Sequence, residues 1–268
     1  MAYILGFTYA DGNIYQSTLS WDLKNDYELL VKINKALKSN YPILKRKASY
    51  RLRISNPIII KDLGKLGVLP KKSKILKFPK VSNKFLHHFI RGYFDGDGWI
   101  YIRKSKNEIS VGFSSGSYQF LKILTQFLHK ELNLSTNNLR LRNKITKKGK
   151  TAITYQVDYS WGNAYKILKY MYFLLNKNDI YMERKYELFQ QAVQLYKWVK
   201  SGGRKWRSLE DKFKKPMREI LLGFWEKGYN GPQIGEILSV HSSSIYRWLI
   251  KTNVRPAFTE IRRKKSSK

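Results

Sequence analysis

Two nine-residue segments put aspartates where a divalent cation could bridge them. Ile4-Leu5-Gly6-Phe7-Thr8-Tyr9-Ala10-Asp11-Gly12 returns 86 positions later as Ile90-Arg91-Gly92-Tyr93-Phe94-Asp95-Gly96-Asp97-Gly98. Each is an apolar stretch with a small residue at i and i+4 (Gly6/Ala10, Gly92/Gly96), then an aspartate, then a glycine. On a helix, i and i+4 share a face, and small residues there let two backbones approach closely. The glycine that follows suits a left-handed C-cap. Packed through those faces, the two helices would bring Asp11 and Asp97 side by side at their C-terminal ends. The helix dipole is negative there, a poor place for one carboxylate and a worse one for two. A divalent cation is the obvious compensation.

This pattern closely resembles the paired motifs of the LAGLIDADG homing endonuclease family. The resemblance implies that the two helices form the interface between similar half-domains. It also implies that the last aspartate of each motif, Asp11 and Asp97, binds the catalytic metal. The first acidic position is Tyr9 in one copy and Asp95 in the other, and in the family that position does not carry the chemistry. By resemblance, two or three Mg2+ would be held by the aspartates and scissile phosphate oxygens, one ion being shared. Carbonyls of Ala10 and Gly96 would complete the shells. Each side would serve one DNA strand, giving a double-strand break with 3′ overhangs. Basic residues support such a transition state, and the repeat nominates Lys72 and Lys185 as equivalent catalytic candidates, with Lys24 and Lys77 behind them. The competing role for Lys72 is a phosphate contact from a loop; for the aspartates it is capping. His87 and His88 are adjacent, hence about 100° apart on a helix; they cannot chelate one ion together and read as packing or phosphate-contacting residues.

Composition points the same way. Lysine and arginine number 52 against 19 aspartates and glutamates, a formal charge of +33. Such an excess repels itself in the compact state unless an acidic partner neutralises it. Nucleic acid fits better than membrane, since the chain has no run of 18 apolar residues, no signal peptide and no long basic amphipathic helix. The absence of cysteine excludes disulfides and thiolate metal sites, as expected for an intracellular protein kept with the genome.

The elements that must position the aspartates also repeat. Asp26-Tyr27-Glu28-Leu29-Leu30 and Ser117-Tyr118-Gln119-Phe120-Leu121 both open amphipathic helices. Tyr50–Ser55 and Tyr155–Ser160 read as strands running into helices, each with a lysine (Lys61, Lys166) 11 residues after its tyrosine. Lys71-Lys72-Ser73 then corresponds to Arg184-Lys185-Tyr186. Each half reads helix, hairpin, helix, hairpin, helix. The first half is abridged: Asn13–Trp21 barely admits a hairpin, whereas Trp99–Ser115 has room, with a turn at Ser105–Asn107. The strands alternate apolar and basic residues, giving Arg51, Arg53, Arg103, Arg140 and Arg142, with Lys144 beyond, as DNA-binding candidates for the major groove or phosphates.

After Lys200 the pattern changes. Ser201-Gly202-Gly203-Arg204-Lys205 reads as a linker with Trp206 at its far end, Pro216 opens a helix, and Gly228 caps it. Pro232–Leu249 resembles the helix-turn-helix of resolvases and transposases: Gly235 permits close crossing, and Ile234, Leu238, Val240, Ile245 and Trp248 supply core contacts. A serine run caps the second helix. That helix would begin near Ser243 and present Ser243, Ser244, Tyr246 and Arg247 to DNA; His241 is a turn residue. The tail Arg262-Arg263-Lys264-Lys265 adds non-specific phosphate affinity.

The expected architecture is therefore α+β: pseudo-twofold tandem half-domains (αββαββα) forming an antiparallel-sheet DNA saddle, plus a small all-α helix-turn-helix domain. The boundaries are 1–82 and 83–200 for the halves, 201–208 for the linker, 209–256 for the helix-turn-helix and 257–268 for the basic tail. The expected function is site-specific double-strand DNA cleavage with Mg2+ at a long asymmetric target. The chain would act as a monomer on double-stranded DNA, with no obligate protein partner and no membrane. Two alternatives use the same basic surface: a catalytically silent DNA-binding regulator, and an RNA-binding intron maturase.

Overall fold

Both motif segments are helices, and they lie against each other. The computed structural model describes residues 1–103, 108–135, 139–145, 151–176, 178–200 and 202–254. Helices α1 (Ala2–Asp11) and α4 (Asn83–Asp97) cross at their small residues, and the crossing is reciprocal. A Cβ added to Gly6 would stand 1.9 Å from the Phe89 carbonyl oxygen, and one added to Gly92 2.0 Å from that of Tyr3. Phe89 is Tyr3 displaced by the repeat's own 86 positions, so backbone meets backbone on both sides of a pseudo-twofold axis. At the C-terminal end a Cβ on Gly96 would lie 2.3 Å from that of Ala10. Phe7, Phe89, Tyr93 and Phe94 around the crossing are 0% exposed, which makes this helix pair the centre of the core.

The expected left-handed caps do not occur. Gly12 and Gly98 are extended, at φ −71° and −102°. What excludes a side chain there is space: a Cβ on Gly12 would lie 2.6 Å from the Thr8 carbonyl oxygen, and one on Gly98 2.2 Å from the Phe94 ring.

Each motif helix leads into a four-stranded antiparallel sheet. The first holds β1 (Asn13–Tyr15), β2 (Thr18–Leu23), β3 (Ile43–Lys45) and β4 (Tyr50–Ser55) in the order β1-β2-β4-β3. The second holds β5 (Gly98–Arg103), β6 (Glu108–Ser115), β7 (Arg140–Ile145) and β8 (Thr151–Ser160) in the order β5-β6-β8-β7. The order is the same, shifted by four strands. In the first sheet, Leu19 faces Ile54 and Trp21 faces Leu52 across the ladder, and all four are buried. The alternate positions, Ser20 opposite Arg53 and Asp22 opposite Arg51, point the other way. In the second, Val111 meets Tyr159 and Phe113 meets Val157. The short first hairpin closes on Gln16-Ser17, with Gln16 at φ +50°; the turn expected at Ser105–Asn107 lies outside the described residues. Leu141, the apolar position between Arg140 and Arg142, is 55% exposed, in β7 at the edge of its sheet.

Helices α2 (Tyr27–Ala36) and α3 (Pro57–Lys65) complete the first half, and α5 (Tyr118–Leu132), α6 (Trp161–Tyr172) and α7 (Glu183–Lys200) the second. Their caps follow the sequence. Asn56 accepts from the amides of Ile58 and Ile59 ahead of Pro57, and Ser117 accepts from Phe120. Between α3 and α4 a single 3-10 turn covers Lys72–Lys74.

The chain divides into two compact units, residues 1–193 and 194–268, so the boundary falls inside α7 rather than after Lys200. The second unit contains α8 (Gly202–Phe213), α9 (Met217–Glu226), α10 (Gly231–Ile237) and α11 (Ser242–Lys251). Residues 202–208, read from sequence as linker, are the first turns of α8. Leu209 and Trp206 explain why: both join the core of this unit with Met217, Leu221, Ile234, Ile245 and Trp248, and Trp206 meets Trp248 edge-on at 5.2 Å. Ser201 and the basic tail lie outside the described residues. Among the described residues no helix is long and apolar enough to cross a membrane.

Methyl groups at the crossing are expected to be costly. Gly6→Ala and Gly92→Ala should each lower unfolding stability by ~3 kcal/mol or more. Gly64→Ala, with nothing within 4 Å of the added Cβ, should be neutral or gain up to about 1 kcal/mol. Denaturant melts of the three variants check this; a Gly6→Ala protein as stable as the parent would contradict the close crossing.

Candidate metal centre and nucleic-acid interface

Asp11 and Asp97 end the two crossed helices, and the crossing brings their ends together: a Cβ on Gly96 would be 3.2 Å from Asp11 Oδ2. Asp11 is exposed and Asp97 half-buried. Among the described residues neither carboxylate has a side-chain hydrogen bond or ion pair; the backbone carbonyl of Asp97 accepts from Ser114 Oγ at 3.0 Å. Loss of solvent and then the charge of Asp11 push the Asp97 carboxyl up to about 6, against the opposing pull of Lys72 and Lys185. Asp11 is also raised, first by lost solvent, with Lys185, Lys72 and Arg184 pulling it down. Two partnerless carboxylates at converging negative helix ends form a donor set that suits a hard, oxygen-seeking cation. Among the described residues no group of three or more His, Cys, Asp or Glu gathers, so a cation held there would draw any further ligands from carbonyls or water. Ala10 and Gly96, named for that role by resemblance, sit at the same end of the crossing.

The lysines nominated by the repeat occupy matching places. Lys72 is 7% exposed and Lys185 3%. Lys72 Nζ donates to the carbonyl of Gly12. Lys185 Nζ donates to that of Gly98 at 2.6 Å, and also to Phe94 at 2.5 Å and Asp95 at 2.9 Å. Gly12 and Gly98 are themselves one repeat apart. Each ammonium therefore covers carbonyls at its own helix end, where four such groups lack intrahelical partners. Burial lowers both lysines, although Asp11 and Asp97 oppose it; Lys185 comes down to about 8. At 7% exposure, Lys72 is turned inward onto the Gly12 carbonyl. Lys24 and Lys77 are exposed.

Sequence reasoning missed two features here. Arg184 Nε donates to both oxygens of Asp26 at 3.2 Å, placing a guanidinium close enough to influence Asp11; its position beside Lys185 was the available signal. Asp95, set aside as non-catalytic, is 0% exposed and accepts from Tyr3 Oη at 2.6 Å, Tyr172 Oη at 2.5 Å and the Met182 amide at 2.9 Å. The histidines are packing residues: their rings lie 3.9 Å apart, and Arg91 Nη2 contacts His88 Nδ1 at 2.9 Å. Burial, then the Arg91 charge, holds His88 down to about 4.

On the outer sheet faces, carboxylates hold several of the arginines. Arg51 donates to Asp22 through Nε at 2.8 Å and through Nη2. Arg103 lies 3.3 Å from Glu108 and donates to Tyr101 Oη at 3.1 Å, and Arg140 pairs with Asp158. Arg53 and Arg142 are exposed, opposite Ser20 and Thr154 in register. Lys144 stands in β7 opposite Ala152.

In the second unit α10 and α11 are joined by a tight turn. Asn230 and Gln233 form a capping box at the start of α10. A Cβ on Gly235 would be 2.5 Å from the Val240 carbonyl oxygen. His241, not a serine, caps α11 and accepts from the Ser243 amide. The helix starts at Ser242, and the packing of Ile245, Trp248 and Leu249 into the core decides what faces out. Ser243 and Arg247 are exposed, while Ser244 is 4% exposed and Tyr246 is partly buried, its ring 2.4 Å from a Cβ on Gly231. Of the four residues expected to face DNA, Ser244 and Tyr246 do not; they share the inner side with Ile245, Trp248 and Leu249.

Comparison with known proteins gives residues 84–171, which include Asp97, as a match to the family model described as a LAGLIDADG-like domain. Among solved structures the chain is similar to the LAGLIDADG meganuclease I-AabMI bound to uncleaved DNA, at 16% identity and TM-score 0.48, covering 74% of this chain and 91% of that one. It is also similar to the LAGLIDADG homing endonuclease I-GzeII in complex with its DNA target, at 13% identity and TM-score 0.46, covering 75% and 90%. A third similar structure is the N-terminal LAGLIDADG domain of DUF199/WhiA, at 13% identity and TM-score 0.42, covering 70% and 85%. None of the curated proteins matches.

Neutralising Asp97 should stabilise the metal-free protein at neutral pH. Its folded pKa of about 6 exceeds the unfolded carboxylate value of 3.8, so the folded state holds this proton more tightly. The group favours folding below the unfolded value, and that contribution is lost as pH rises through about 6. Asp97→Asn should therefore melt on the order of 5 °C above the parent at pH 7.5 in chelator, with the gap closing by pH 4. A variant that melts below the parent at pH 7.5 would contradict the uncompensated carboxylate pair.

Proposed function

We propose that this chain is a metal-dependent, site-specific DNA endonuclease that cuts both strands of a long asymmetric target, acting as a monomer. The observation that carries this is the pair of carboxylates, Asp11 and Asp97, which have no side-chain hydrogen bond or ion pair among the described residues and stand at crossed helix ends with one buried lysine from each half acting on both. Both carboxylates would hold two or three Mg2+, with the carbonyls of Ala10 and Gly96 contributing. Bound there, the metal would supply Lewis acidity to the phosphodiester and acidify a water for attack. The protein's own part is to hold the two carboxylates at fixed separation and to bury Lys72 and Lys185, whose charge stabilises a developing phosphorane and leaving oxygen in a site of low polarity. Two half-sites on one chain match two strands of one duplex. The charge of +33 supports a polyanionic partner, with salt-dependent affinity. The outer sheet arginines, Arg53 and Arg142 first, then Arg51, Arg103 and Arg140 if they leave their carboxylates, with Lys144, would meet that duplex. In the second unit, α10 and α11 act as a helix-turn-helix whose reading face is Ser243 and Arg247.

Selection on a randomised duplex library, with and without Mg2+, scoring bound and cut molecules, tests the proposal. One long asymmetric site cut only with metal is the expected result. Enrichment of bound molecules without cutting in any divalent metal would overturn the nuclease reading in favour of a DNA-binding regulator. On the recovered target, Asp11→Asn and Asp97→Asn should each abolish double-strand cleavage and leave Kd within a few-fold; full cleavage by either would sink the metal assignment. Arg247→Ala should weaken binding by about 1–3 kcal/mol at an unchanged cleavage rate under saturating protein. An unaltered Kd would remove α11 from the interface.

A further inference from the structure

The residue two positions before each paired aspartate differs in kind between the motifs: Tyr9 in the first, Asp95 in the second. In the structure both are buried, at 1% and 0% exposed, and each holds the segment that carries its half's lysine.

In the first half, Tyr9 Oη donates to the carbonyl of Leu66, at the C-cap of α3. The phenol also fills the space beside Gly67: a Cβ there would lie 2.7 Å from Tyr9 Oη, and Gly67 has φ +86°. The Tyr9 ring is itself fixed edge-on against Phe89 at 5.2 Å and tilted at 38° against Phe120 at 5.9 Å. From that anchor the chain passes through Val68, 1% exposed, and turns at Lys71, φ +54°. It then delivers Lys72 Nζ to the carbonyl of Gly12.

In the second half the polarity is reversed. The Asp95 carboxylate accepts from the amide of Met182 at 2.9 Å, while the Met182 carbonyl accepts from the amides of Lys185 at 3.0 Å and Tyr186 at 3.1 Å. Met182 therefore begins the first turn of α7 with both backbone groups engaged, three residues before Lys185. Tyr3 and Tyr172 hold the Asp95 carboxylate from two other helices. Lys185 Nζ then donates to the carbonyl of Gly98, one repeat after Gly12.

We infer that Tyr9 and Asp95 are positioning residues, each fixing by one backbone hydrogen bond the segment that brings Lys72 or Lys185 to the end of its motif helix. A hydroxyl that donates to a carbonyl and a carboxylate that accepts from an amide do the same work, so the two motifs tolerate different residues at this place. The inference deepens the nuclease reading of the site and, for its effect on rate, rests on it.

The experiment uses the full chain and two readouts. The first is amine labelling by an acylating reagent, followed residue by residue with mass spectrometry, which requires no cleavage. Tyr9→Phe, which removes one oxygen, should expose Lys72 to labelling at least tenfold faster and leave Lys185 unchanged; Asp95→Asn should do the reverse. Equal protection of Lys72 in Tyr9→Phe and parent would overturn the inference, as would equal loosening of both lysines, which is what general destabilisation gives. If Asp95→Asn does not fold, Tyr9→Phe alone decides. The second readout is single-turnover cleavage with Mg2+. Tyr9→Phe should slow cutting at least tenfold at a Kd within twofold, and Tyr9→Phe/Lys72→Ala should be no slower than Lys72→Ala. Tyr9→Phe/Lys185→Ala should show the product of the single effects. Effects that multiply within a pair as they do across pairs would overturn the inference. A parent that cuts no DNA at all would overturn the nuclease reading, and the labelling result would still decide the positioning.

Discussion

Everything in the first unit depends on two helices approaching so closely that their backbones touch. Gly6 lies against the Phe89 carbonyl and Gly92 against that of Tyr3, and no other residue type fits either position. The contact does two things that larger side chains would prevent. It brings the ends of both helices to one point, so that Asp11 and Asp97 share a site. It also buries an aromatic shell, Phe7, Tyr9, Phe89, Tyr93 and Phe94, between halves that belong to the same chain. Lost solvent raises both carboxyls, and the charge of Asp11 adds to the rise at Asp97, a cost the fold carries in holding a site with spare negative charge.

The buried lysines refine this electrostatic picture. Their ammonium groups do not pair with the aspartates; they satisfy helix-end carbonyls at Gly12, Phe94, Asp95 and Gly98. Some of the charge at both helix ends is thus offset, and among the described residues the carboxylate oxygens have no side-chain partner. A direct salt bridge would have stabilised the empty protein and blocked the oxygens from a cation.

Much of this was legible in the sequence because it rests on spacing. The 86-residue offset paired Gly6 with Gly92 and Asp11 with Asp97, while the two lysines were matched by the order of elements, through Lys71-Lys72 and Arg184-Lys185. What stayed hidden depends on three-dimensional context that local pattern does not encode. A glycine after a helix signals a left-handed cap or a lack of room with equal force, and at Gly12 and Gly98 it was the latter. Gly202-Gly203 looked like a linker because helix propensity is low there, but tertiary burial of Leu209 and Trp206 outweighs propensity. On α11, packing of Ile245, Trp248 and Leu249 into the core sets the inner face, and Ser244 and Tyr246 fall beside it. The partners of Arg51 and Arg103 follow from strand register, which places Asp22 and Glu108 directly across the ladder; register was not available from composition.

The two sheets share an order but not a length. β1 and β3 have three residues each where β5 and β7 have six, and β4 has six where β8 has ten. At about 3.3 Å per residue, the outer strands of the first half extend roughly 10 Å and those of the second roughly 20 Å. If the sheets lie along a duplex as proposed, at about 3.4 Å of rise per base pair they would span ~3 steps on one flank and ~6 on the other. Such a molecule would sit off-centre on its substrate, with the scission point displaced toward one end of its footprint. Base changes on the long flank would then be the ones it feels.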